Sequence, residues 1–336
     1  MISGDRIADV GRVKDAPRGT KVIDAKNLYL VPGYIDLHIH GGGGASVMEG
    51  TREAIATLCR AHALEGTTTV LPTTTAAPLS EIERAIQAIE DAQRSQTDAT
   101  IAGVHLQGPF LSPAYMKKQA IPHLLSPSDL DWQALLKGWQ GVRMVGLAPE
   151  LPGALAFSDA LRDRGIVASI SHSNASYDQV LNAVSHGFSD VSNIYSGCSS
   201  LMETPHGRVP GVTECALTMD ELSVQLVADG KKLPMMLMQI VLRCKGPESI
   251  LLVSDAGAGS QTSMALLVRN MVAAGAPLRV ALRMATVNPA RRIGLNDTKG
   301  RIAPGYDADI LLLDETLSVR FCMARGSILR DELDSM

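Results

Sequence analysis

Short apolar, β-branched runs alternate with longer stretches of helical period through the middle of the chain, which is the pattern of parallel βα units. Eight such runs are legible: 29–40, 66–74, 100–107, 142–150, 165–172, 188–195, 222–229 and 249–255. Between them the apolar spacing predicts helices at 51–65, 81–94, 151–164, 177–186 and 234–245. Eight strand-then-helix repeats over about 220 residues predict an α/β fold of (β/α)8 TIM-barrel type. A doubly wound open sheet ranks second, because no glycine fingerprint follows the first strand.

Polar residues fall in register with these runs. Nearly every run is apolar until its last position or two and then closes on a polar residue: His40, Thr74, Gln107, Glu150, His172, Asn193, Asp229 or Asp255. In a barrel those positions share the C-terminal rim, where active sites are built. Both termini read as short β runs, at 6–10, 21–24, 300–302, 308–314 and 321–329. They predict a small β-sandwich domain from 1–30 with 297–336, leaving 31–296 as the barrel domain.

Composition narrows the chemistry. With 46% hydrophobic and 20% charged residues in 336, the chain has the material for a large core and is neither disordered nor coiled coil. A net charge of −4 offers no basic field for nucleic acid or an anionic membrane, so neither is expected as a partner. Cys59, Cys198, Cys215, Cys244 and Cys322 are scattered without a CxxC pair, against both a disulfide framework and a structural zinc site. No signal-peptide pattern opens the sequence and 234–242 is too short to span a bilayer, so a cytoplasmic protein is expected.

The segment Pro32-Gly33-Tyr34-Ile35-Asp36-Leu37-His38-Ile39-His40-Gly41 carries the first chemical signal. Strand alternation places His38 and His40 on one face, spaced to clamp a single cation through imidazole nitrogens. The glycines at 41–44 clear space for a ligand or for backbone to approach. His172 closes the fifth run and Asp255 the eighth, so three histidines and an aspartate meet on one rim as a metal site with room for water. His105 shares the strand face of Gln107 and is a supporting candidate, whereas His62 and His186 read as ordinary helix residues. The run Met235-Met236-Leu237-Met238 reads as a core helix face.

Taken in order, PGYIDLHIHG, GTTTVLPT at 66–73, GVHLQGPFLSP at 103–113, LAPE at 147–150, SHSNASYDQ at 171–179, HGRVPG at 206–211, LVADG at 226–230, LLVSDA at 251–256, VNPAR at 287–291 and GRIAPGYDADILLLD at 300–314 give the chain a family likeness. It resembles the amidohydrolase superfamily and, within it, the N-acetylglucosamine-6-phosphate deacetylases, over essentially its whole length. The resemblance implies a divalent metal, zinc first with iron, cobalt or manganese as alternatives, in one or two copies. It implies Asp255 as the catalytic acid–base and Arg208 as the phosphate contact. The family's strand-3 metal-binding Glu falls on Gln107, its strand-5 His on His172 and its strand-6 His on Asn193. The His of its DGxH motif falls on Lys232, and the His of a KGAH-like stretch on Ile121, beside Ala120. Ser196, Gly197, Ala258, Gly259 and Ser260 complete the implied substrate contacts.

Two metal sites are therefore open: His38, His40, His172 and Asp255, with Gln107 as a neutral neighbour, or Gln107, His172 and Asn193. The resemblance implies hydrolysis of the acetamido group of N-acetylglucosamine 6-phosphate, with an amino-sugar phosphate as small-molecule partner and a homodimer as assembly. The alternatives are a catalytically impaired binder of the same ligand and an amidohydrolase acting on another amide or cyclic amide. Relatives also place several dozen residues where this chain runs from Asp255 almost directly to Ala258-Gly259-Ser260.

Overall fold

The computed structural model describes residues 1–11, 18–95, 98–205 and 207–333. His206 of the HGRVPG motif and the last three positions of the expected terminal domain lie outside the described residues. Among the described residues eight parallel strands build the centre: β1 (Tyr34–Ile39), β2 (Thr67–Pro72), β3 (Val104–Gln107), β4 (Val142–Leu147), β5 (Val167–Ile170), β6 (Phe188–Val191), β7 (Ser223–Leu226) and β8 (Ile250–Leu252). Strands β3 to β8 pair in chain order and β1 pairs with β2. Backbone bridges from Thr73 to His105 and from Ile39 to Ala256 close the ring. The expected barrel is the observed one.

Helices α1 (Arg52–Leu64), α2 (Leu79–Arg94), α3 (Trp132–Gly138), α4 (Ala154–Asp163), α5 (Tyr177–Ser185), α6 (Val212–Thr218), α7 (Met235–Cys244) and α8 (Met264–Ala273) follow the eight strands in turn. Their starts are written locally: Thr51 accepts from Ala54 N–H to open α1, and Ser176 with Gln179 forms a capping box on α5. In α2, Ile82, Ala85, Ile86, Ile89 and Ala92 recur at intervals of three and four and are all buried. Each such isoleucine contributes about 1.5–3 kcal/mol on burial. The methionine run at the start of α7 divides rather than facing the core together. Met238 is buried, while Met235 and Met236 are exposed.

Three expected strands need redrawing. Residues 29–40 break at Gly33, where an added Cβ would lie 2.1 Å from Thr68 Oγ1. Tyr29–Pro32 leaves the barrel there and pairs with Ile310–Leu313. Residues 100–107 break at Gly103 (φ 138), and 321–329 is a hairpin of Val319–Ala324 with Ser327–Asp331. Its turn residues Arg325 and Gly326 both have positive φ, as a tight hairpin requires. Residues 21–24 and 300–302 are not strands.

The terminal sheet runs Ser327–Asp331, Val319–Ala324, Ile310–Leu313, Tyr29–Pro32. The ribbon of Ile2–Ser3 and Arg6–Ile7 docks on it through Ile7 N–H to Tyr306 O. Ile7, Ile310, Leu312, Phe321 and Met323 fill the space between. Lys299 is buried against Asp307 and Asp309, 2.7 Å from each, and ties this unit to the barrel by donating to Thr100. Arg330 donates to Leu64 O, and Gly66 packs on Val319 and Leu311, which sets the terminal sheet against α1 and the start of β2. Among the described residues no helix is long and apolar enough to cross a membrane.

Candidate active site

The seam between β1 and β8 places the first reactive groups. Asp36 is fully buried in β1 and its carboxylate accepts from the backbone N–H of both His38 and Ser254. Asp255 N–H in turn donates to His38 O. The two strand ends are stitched together, which sets His38, His40 and Asp255 side by side. His38 Nε2 lies 3.2 Å from His40 Nε2, and Asp255 Oδ1 lies 3.8 and 3.5 Å from those nitrogens. These three side chains form a group able to hold a metal ion.

Each imidazole has its other nitrogen committed. His40 Nδ1 meets the carbonyl of Thr73 at 3.0 Å, and a carbonyl only accepts, so that nitrogen carries the proton. His38 Nδ1 meets Gln225 Oε1 at 2.8 Å. Both Nε2 lone pairs therefore point at each other and at a carboxylate, an arrangement that repels itself without a shared cation. Burial, and then the neighbouring His38, push His40 down to about 4, so it stands neutral and ready to ligate. Burial likewise holds His172 and His105 below the usual histidine range. The donor set, two imidazoles and a carboxylate, fits a divalent ion of zinc type.

Asp255 divides its oxygens. Oδ1 faces the histidines, and Oδ2 accepts from Lys232 Nζ at 2.7 Å. Lys232 is placed by Asp229, whose carboxylate accepts from the backbone N–H of Lys231, Lys232 and Leu233. Burial pushes the Asp255 carboxyl up, but His38, Lys232 and His40 together hold it below the ordinary carboxylate range.

Across the rim lies a second arc. Gln107 is buried and donates from Nε2 to Ser171 Oγ at 3.1 Å. His172 Nδ1 and Asn193 Oδ1 are buried without a hydrogen-bond partner. His172, Asn193 and Asp255 all hold left-handed backbone, with φ of 43, 49 and 47°. Non-glycine residues enter that region rarely and at an energetic cost, and three at strand ends of one rim mark a site. Gly197 (φ 74) is packed so closely that an added Cβ would lie 2.4 Å from His172 Nδ1.

The remaining expected contacts scatter. Ser196 N–H closes a turn onto Asn193 O. Ala258 lies against β1's exit, since Gly44 N–H donates to its carbonyl and an added Cβ on Gly41 would lie 2.7 Å from its nitrogen. Gly259 and Ser260 are exposed in the short connection to α8. Ala120 is half-buried in a turn that bonds to Lys117 O. Arg208 sits on the hairpin of Met202–Thr204 with Gly207–Val209, its side chain 70% exposed and 3.5 Å from Glu203. The structure gathers His38, His40, Asp255 and Lys232 by direct contact and leaves Arg208 and Ala120 on outer loops. Sequence reading missed Gln225, Thr73 and Ser171, whose signal is only that each is polar within or beside an apolar strand.

This arrangement is that of a metal-assisted hydrolase on a (β/α)8 barrel. The amidohydrolase family model matches residues 29–329, and the chain belongs to that family. Within it, the chain is 31% identical to the N-acetylgalactosamine-6-phosphate deacetylase of Escherichia coli O157:H7, covering 96% of this chain and 93% of that protein. It is 28% identical to the N-acetylglucosamine-6-phosphate deacetylase of Lysinibacillus sphaericus, covering 93% and 88%. The solved N-acetyl-D-glucosamine-6-phosphate deacetylase of Mycobacterium smegmatis superposes with a TM-score of 0.86 at 29% identity, over 97% of this chain and 93% of that one.

Proposed function

We propose that this chain removes the acetyl group of N-acetylglucosamine 6-phosphate by hydrolysis, giving glucosamine 6-phosphate and acetate. The observation that carries the reading is the His38–His40–Asp255 group, set at the rim of a barrel whose relatives are amino-sugar-phosphate deacetylases. A metal held by His38, His40 and Asp255, zinc by the chemistry of its donors, would supply an acidified water and a polarised amide carbonyl. Iron, cobalt and manganese suit the same donors less closely.

The chain's own residues then do the proton work. Asp255 accepts the proton of the attacking water as oxygen bonds to the acetyl carbon, and returns it to the sugar nitrogen as the C–N bond breaks. Lys232, on the other carboxylate oxygen, keeps Asp255 ionised and aimed. His172, with its unpartnered Nδ1, steadies the oxyanion or a sugar hydroxyl. Gln107 and Asn193, on the opposite arc, would offer neutral oxygen donors to a second, weaker ion. Ala120, Ser196, Gly197, Arg208, Ala258, Gly259 and Ser260 belong to the outer loops that would receive the sugar phosphate, with Arg208 suited to the phosphate as a bidentate donor.

The same reading takes residues 31–296 as the catalytic unit and 1–30 with 297–336 as its brace. It takes the protein as a cytoplasmic homodimer. The intact β1/β8 donor set argues against a binder that has lost its chemistry. The test is acetate release from N-acetylglucosamine 6-phosphate and from its 4-epimer by zinc-loaded protein. Turnover of the first supports the reading; turnover of neither, with zinc bound, overturns it.

A further inference from the structure

A buried polar chain runs beneath the rim and ends on His38. Ser169 in β5, Asp190 in β6 and Ser223 in β7 lie opposite one another in register, so they share one layer of the barrel. All are buried, as are Gln225 and His38. The Asp190 carboxylate accepts from Ser169 Oγ (2.6 Å), Ser223 Oγ (2.5 Å) and Gln225 Nε2 (2.7 Å). Among the described residues no cationic side chain pairs with it. A carboxylate only accepts, so the amide nitrogen of Gln225 must face Asp190 and its oxygen must face His38. Met144 Sδ, 3.2 Å from the same nitrogen, takes the second N–H. A flipped amide would set its oxygen against the Asp190 carboxylate and the Met144 sulfur, losing both bonds, and would turn its N–H groups toward His38 Nδ1.

We infer that Asp190 and Gln225 are positioning residues: they lock His38 as the Nδ1–H tautomer and so present its Nε2 lone pair to the ion. The Gln225 carbonyl is the acceptor that fixes the proton, and Asp190 is what prevents the amide from turning over. Groups that orient a ligating imidazole from behind commonly matter to metal affinity as much as some ligands do. The amide thus relays the buried Asp190 carboxylate, which no cationic side chain pairs among the described residues, to the His38–His40–Asp255 group able to hold a cation. This inference rests on the reading of His38, His40 and Asp255 as a metal centre.

Two readouts test it: zinc affinity by chelator competition, and the His38 tautomer in metal-free protein from long-range proton–nitrogen spectra at alkaline pH, where imidazoles are neutral. Gln225→Met keeps the volume beside Met144 but removes the acceptor. It is expected to weaken zinc binding by about 10- to 100-fold and to move His38 from the Nδ1–H form toward Nε2–H. Gln225→Glu keeps an acceptor for His38 and shares one proton with Asp190, so it is expected to retain the tautomer and to bind zinc within about threefold of the parent. An unchanged tautomer or unchanged affinity in Gln225→Met overturns the relay, as does loss of the Nδ1–H form in Gln225→Glu. Should the parent protein fail to bind zinc, the metal-centre reading falls, while the tautomer in metal-free protein still decides the relay.

Discussion

The rim has two arcs with the same architecture and different chemistry. On the β1/β8 arc, two imidazoles and a carboxylate converge within hydrogen-bond to ion-pair distances, with every backing nitrogen held by an acceptor. On the β3/β5/β6 arc, His172 and Asn193 show the same left-handed backbone at their strand ends, yet their buried polar atoms go unpartnered and the carboxylate position is Gln107. Backbone strain is thus shared by both arcs, whereas charge is concentrated on one. The fold fixes where a rim residue stands, and side-chain identity decides which arc offers a charged donor set.

Substitutions can set the arcs against each other. The largest effect is expected at Asp255, which both faces the histidines and moves the proton. Asp255→Asn should lower kcat/KM for deacetylation by about 10³-fold or more while leaving the circular dichroism spectrum unchanged; near-full activity would remove Asp255 from the mechanism. Next in size is metal affinity, read by chelator competition. His40→Ala should weaken zinc binding by more than about 100-fold, whereas Asn193→Ala should change it by less than about threefold. Equal losses in the two variants would erase the distinction between the arcs.

Gln107→Glu runs the comparison the other way. Restoring a carboxylate to the weaker arc adds a full negative charge beside His172, and zinc bound per chain should rise toward two, with the second ion tightening by about tenfold. Elemental analysis at fixed free zinc checks this, and an unchanged content would show that His172 and Asn193 cannot complete a site.

The smallest effect lies away from both arcs. Asp314, in the terminal unit, is buried yet accepts from Thr316, Ser318 and Arg320, which together outweigh burial and hold its carboxyl at about 2. A carboxylate so depressed stabilises the fold above its unfolded pKa near 4, and that contribution of about 1–2 kcal/mol is lost as pH falls from about 4 through 2. Asp314→Asn should flatten the acid limb of a thermal-stability profile over that window and leave zinc affinity untouched.

Much of this was legible in the chain because the two kinds of signal are local. Strand period and polar strand ends follow from short-range sequence, so the barrel, its rim and the meeting of His38, His40 and Asp255 could be read directly, whereas His172, expected with them, stands at its own strand end outside that group. What could not be read depends on close approach. Gly33 ends one strand and starts another because Thr68 leaves no room for a side chain, a fact about a neighbour rather than about residues 29–40. Gln225 and Asp190 sit in apolar strands where nothing in the local pattern distinguishes a structural polar residue from one that backs a ligand. Arg208 carried a clear implied role, yet its hairpin places the guanidinium beside Glu203 in solvent, since a loop's direction is set by packing and not by motif.

Charge and geometry together favour the β1/β8 arc as the seat of the cation. Anomalous diffraction at the zinc edge from crystals of the zinc-loaded protein tests it most directly. A dominant peak bounded by His38 Nε2, His40 Nε2 and Asp255 is expected; a dominant peak on Gln107, His172 and Asn193, or none at saturating zinc, would remove the cation from that arc.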